Sequence, residues 1–77
     1  MTESEFRQLP NRKIKFITYT GKVHVGGNFT DYSEGTEKFY IITNPNVSES
    51  LTLEDKINKG ILIPIKPSII EEAIVIQ

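Results

Sequence analysis

From Ile14 the chain alternates: Ile14, Phe16, Thr18 and Thr20 share one face, and Lys13, Lys15, Ile17 and Tyr19 the other. A period of two among β-branched and aromatic residues is the pattern of a strand. After Gly21 the phase changes, because the next apolar residues, Val23 and Val25, stand at odd positions. Glycine adopts backbone angles that cost other residues, so Gly21 either bends one long strand through a bulge or turns between two. Gly26-Gly27-Asn28 is expected to end the second strand, and Asp31 to Gly35 is rich in turn formers.

"KFYIITN" reads as a third strand with apolar residues on both faces, which places it centrally, and Asn44-Pro45-Asn46 stops it. "SESLTLEDKINKG" is the one plausible helix: Ser50 can cap it, Leu53 and Ile57 are spaced four apart, and Gly60 stands where a C-terminal glycine belongs. Thr52 and Asn58 argue instead for an extended loop. "GILIPIK" and "IIEEAIVIQ" are two apolar strands joined at Lys66-Pro67-Ser68, and Pro64, which cannot donate to a ladder, assigns its strand to an edge or a bulge.

The chain has 77 residues, enough for one domain with a small core, and without cysteine neither a disulfide nor a thiolate metal site can reinforce it. We expect a polar N-terminal arm over residues 1–12, with a short helical turn from Glu3 to Leu9 as the alternative, and a single domain over 13–77. The fold class expected is all-β or mainly β: a small, strongly bent barrel or sheet of four or five strands with at most one short helical segment. No apolar run is long enough to cross a bilayer, and the N-terminus lacks the basic start and apolar middle of a signal peptide, so the expected compartment is the cytoplasm. On that expectation the sequons Asn28-Phe29-Thr30 and Asn46-Val47-Ser48 are chance matches.

The strand succession, with "GKVHVGGNFTDY", "FYIIT" and the final pair "ILIPIKPSIIEEAIVI", resembles Sm-like and uncharacterised bacterial small β-barrel proteins over residues 14–76. In the Sm-like family a short turn joins the fourth and fifth strands, as Lys66-Pro67-Ser68 would here. The resemblance implies the fold and a ring assembly. The family's RNA-contacting loop residues have no match that can be placed residue by residue, so RNA binding does not carry over.

Reactive groupings are scarce. His24, the only histidine, lies between two valines with no companion ligand and reads as a half-exposed strand residue. Gly21-Lys22 opens a strand rather than a helix, which excludes a phosphate loop, and no βαβ unit exists for a dinucleotide site. Glu71 and Glu72 are adjacent on a strand and so face opposite sides. Asp31, Glu34 and Glu37 crowd one loop without the spacing of a calcium loop and read as a solvated turn. No catalytic, cofactor or metal residue is assigned, and no cofactor is expected.

Two partner classes follow. Ile70, Ala73, Ile74, Val75 and Ile76 put apolar side chains on both faces of the last strand, which calls for cover from a second copy or another protein. Arg12, Lys13, Lys15 and Lys22, with Tyr19 and Phe16 nearby, form the one basic and aromatic grouping that could hold single-stranded nucleic acid. The net charge of −1 opposes that alternative.

Overall fold

The structure is a computed structural model and describes residues 1–44 and 50–77. Its five strands are β1 (Ile14–Thr18), β2 (Val23–Asp31), β3 (Lys38–Ile42), β4 (Leu62–Pro64) and β5 (Ile70–Val75). They form one antiparallel sheet in the order β4-β3-β2-β1-β5. The protein is therefore mainly β, with an open sheet: β4 and β5 are its two edges and do not meet to close a barrel. Two helices, α1 (Glu3–Arg7) and α2 (Leu53–Asn58), and a 3-10 turn at Pro67–Ile69 exceed the single helical segment expected.

The β1–β2 connection settles the phase change. Gly21 has φ +86°, its N–H donates to Thr18 O, and the Thr18 N–H donates to Lys22 O. This is a three-residue hairpin loop closed by a glycine in the left-handed region. A side chain there meets open space, so strain alone opposes it. Gly21→Val is expected to destabilise by about 1–3 kcal/mol, and a mutant matching the parent in urea denaturation would contradict the turn assignment.

Gly26 and Gly27 do not end β2. The strand passes through them, pairing Val23 to Gly26 with β1 and Gly27 to Asp31 with β3. A Cβ on Gly26 would lie 2.2 Å from the Ile42 carbonyl oxygen and 2.9 Å from its carbon. The missing side chain is what lets β3 close in where the sheet changes partners.

Residues 1–12 are not an arm beside the domain. The Thr2 hydroxyl accepts the Glu5 N–H and the Glu5 carboxylate accepts the Thr2 N–H, a capping box that starts α1. These bonds to Thr2, its backbone N–H first, hold the Glu5 carboxyl below its ordinary pKa. The helix lays Phe6 into the core, with ring centroids 6.0 Å from Phe16 and 5.5 Å from Phe39, the latter edge-on. Asn28 Nδ2 donates to Phe6 O, and Arg7 pairs with Glu37, which ties the helix to β2 and β3. Ile14, Ile41, Ile65 and Ile70 complete the core around these rings.

The 51–60 segment is helical, capped by Thr52, whose hydroxyl accepts the Asp55 N–H. The residue that argued against the helix thus starts it. Gly60 N–H to Ile57 O and Ile61 N–H to Lys56 O end it in a Schellman motif. The proposed stop at Asn44-Pro45-Asn46 and the sequon Asn46-Val47-Ser48 run into residues 45–49, outside the described part.

Candidate functional site

Strand β5 is the site the fold singles out. On β1, Thr18 pairs with Lys22 through its backbone N–H, so by antiparallel alternation Thr18, Phe16 and Ile14 bond to β2, and Ile17 and Lys15 bond to β5. The Ile76 N–H donates to Lys13 O, in phase with Lys15–Ile74 and Ile17–Glu72. Glu72, Ile74 and Ile76 thus face β1 with their backbone groups. Ala73 and Val75 direct theirs outward, to no strand among the described residues.

A register slip between Ile17 and Thr18 makes Glu71 an extra residue, a bulge. It explains the mixed parity of the sequence. Phe16 faces Ala73 and Thr18 faces Ile70, so Ile70 and Ala73 both turn to the core face although they stand three apart. The five residues assigned to one interface therefore divide. Ile70 is fully buried within the chain and the Ala73 side chain is partly buried against the core, so neither adds a side chain to the exposed outer face, although the Ala73 backbone stays at the edge. Ile74, Val75 and Ile76 stay exposed, at 39%, 38% and 47%.

On the outer face Ile74 continues into a row that sequence reasoning missed. Lys15 lies between Val25 and Ile74, and Ile17 between Val23 and Glu72, so the exposed valines join the isoleucines in one apolar field crossed by Lys15. The signal was available in the sequence. Once Gly21 is read as a hairpin turn, register puts Val23 and Val25 on the face of Ile17 and Lys15.

The other edge is different. Ile65 N–H to Phe39 O and Thr43 N–H to Ile61 O put the odd residues of β4 on β3, so Leu62 and Pro64 face out. Proline has no N–H, and the strand is three residues long, so this edge offers a single outward donor, at Leu62.

The basic grouping is spread along β1 rather than gathered at one point. Arg12 and Lys13 stand at one end of β1, with Arg12 Nε donating to Gln77 O; Tyr19 and Lys22 stand at the other, about 17 Å away along a five-residue strand. Lys15 sits between two apolar neighbours on the outer face, and Phe16 is fully buried and cannot stack on a base. Tyr19, 66% exposed, is the ring left beside a lysine in that grouping.

His24 faces Phe16 on the core side and is half-buried. His24→Gln is expected to change stability by less than about 1 kcal/mol and to leave sedimentation unchanged; a lost activity or altered assembly would give the ring a role. Asp31 accepts from the Ser33 hydroxyl, Glu34 pairs with Lys38, and Glu37 pairs with Arg7. The bond to Glu34 raises the Lys38 pKa, and partial desolvation followed by the bond to Glu37 raises that of the Tyr32 phenol. Among the described residues no group of three His, Cys, Asp or Glu side chains is placed to hold a metal ion, and no helix is long and apolar enough to cross a membrane.

Comparison with protein-family models, with curated proteins and with solved structures returned no match.

Proposed function

We propose that the protein works without catalysis, in the cytoplasm, through protein–protein contact along β5, as a homo-oligomer or an accessory subunit. One observation carries this reading. An edge strand with outward backbone groups at Ala73 and Val75 adjoins the exposed apolar side chains of Val25, Ile74 and Ile76. Natural edges are blunted by proline, shortness, charge or bulges; β4 has proline and shortness, while β5 has neither, and its bulge at Glu71 lies ahead of the outward groups of Ala73 and Val75. A strand added at β5 would continue the ladder and cover the field, the mode called β-augmentation.

Sedimentation velocity over a wide concentration range tests the contact. Assembly that grows with concentration, or a stoichiometric complex with another protein, is the expected result, and a chain that stays monomeric and binds no protein overturns it. A second reading, single-stranded nucleic acid bound through Arg12, Lys13, Lys15, Tyr19 and Lys22, draws on the exposure of Tyr19 beside Lys22. It predicts salt-sensitive binding of an oligonucleotide that Tyr19→Ala weakens. Binding that is absent at low salt removes it.

A further inference from the structure

We infer that the partner at β5 is a second copy of the same strand, paired antiparallel about a two-fold axis through Ile74; this rests on the contact reading above and names its occupant. The argument is one of register. Outward backbone groups can exchange bonds only with outward groups, so in a self-pair Ala73 and Val75 must supply the rungs. Setting Ala73 opposite the partner's Val75 gives two such rungs by symmetry, with Ile74 facing its own copy between them. In the same register Glu72 falls opposite the partner's Ile76, and Glu71 opposite the partner's Gln77, so no acidic side chain faces another.

Charge and apolarity both match. Because Ile76 pairs with Lys13 on β1, each Glu72 joins the row that contains the partner's Lys13, one strand beyond the partner's Ile76. Those opposite charges stand in one row about 10 Å apart, once on each side of the axis. The central row reads Val25, Lys15, Ile74 and then the same residues reversed, so the two exposed isoleucines cover each other. A ring needs a heterologous contact, β5 of one copy on another surface of the next. The free edge left for it, β4, has Pro64 at one of its two outward positions. The two-fold contact uses β5 alone and closes on itself.

The absence of cysteine from the natural chain gives a direct test. In Ile74→Cys a disulfide can form only between copies, and residues facing each other at a non-hydrogen-bonded antiparallel position have Cα atoms about 4.5 Å apart, within disulfide range. Val23→Cys, more exposed than Ile74 on the same face but two strands from the axis, is the control. Under mild oxidation Ile74→Cys is expected to run as a covalent dimer, reversed by reductant, while Val23→Cys stays largely monomeric on a non-reducing gel; the wild type should sediment as a dimer. If the wild type assembles and Val75→Lys disperses it, but Ile74→Cys crosslinks no better than Val23→Cys or the assembly is larger than a dimer, the contact reading stands and the two-fold register falls. A wild type that is monomeric at high concentration removes the self-pairing whatever else binds at β5.

Discussion

Gly26→Ala is expected to cost about 3 kcal/mol or more, the largest effect of any small substitution in the sheet, because the added carbon would stand 2.2 Å from the Ile42 carbonyl oxygen. The obstacle is backbone, so no rotamer change relieves it, and β2 and β3 must part at the point where the sheet bends. A domain of this size has only on the order of 4–12 kcal/mol in hand, so the mutant loses a large share of its stability. Gly27→Ala meets the Cγ2 methyl of Ile42 at 3.2 Å, where a shift of a few tenths of an ångström relieves the contact, and should be milder. Urea midpoints in the order parent, Gly27→Ala, Gly26→Ala are the check. Equal midpoints for Gly26→Ala and the parent would mean that β3 does not approach β2 so closely.

Val75→Lys is expected to leave the fold intact and abolish the β5 contact. Val75 is 38% exposed at the sheet edge, so a lysine stem can lie along the strand with its ammonium in water while the chain is alone. When a second strand is added at β5, that side chain, on the core face beside Ile14, is crowded against the added strand, and in a two-fold pair against the partner's Ala73, at both ends of the joint. A buried unpaired charge is worth several kcal/mol, and a loss of about 3 kcal/mol is roughly a hundredfold in the dissociation constant. Circular dichroism should match the wild type while sedimentation shows the monomer. A mutant that assembles as the wild type does would place the contact elsewhere.

How far the sequence revealed this molecule depended on the range of the interaction concerned. Alternation from Ile14 to Thr18, the turn at Gly21, the helix end at Gly60 and the edge position of Pro64 are local effects of side-chain period, φ and a missing N–H, and each was readable. Gly26 and Gly27 misled because glycine commonly marks a strand's end, whereas here the reason for it is a carbonyl of β3, distant in sequence. Phe6 looked like an isolated ring in a polar stretch; nothing near it announces that Phe16 and Phe39 wait for it. On the candidate site, exposed Ile74, Val75 and Ile76 were legible as surplus apolar surface. The loss of Ile70 and Ala73 to the core was not, since it depends on one bulged residue, Glu71, that period counting cannot place.

The pairing of β1 with β5 joins residues from nearly opposite ends of the chain. During synthesis the N-terminal parts emerge first, so β1 and β2 can form their hairpin long before β5 leaves the ribosome. Throughout that interval β1 is itself an open edge on the nascent chain, exposed to other unfinished polypeptides. Lys13 and Lys15 stand on that temporary edge, Lys15 between the apolar Val25 and Ile74. Charge at an open strand edge discourages wrong pairing, and these lysines supply it until β5 is available.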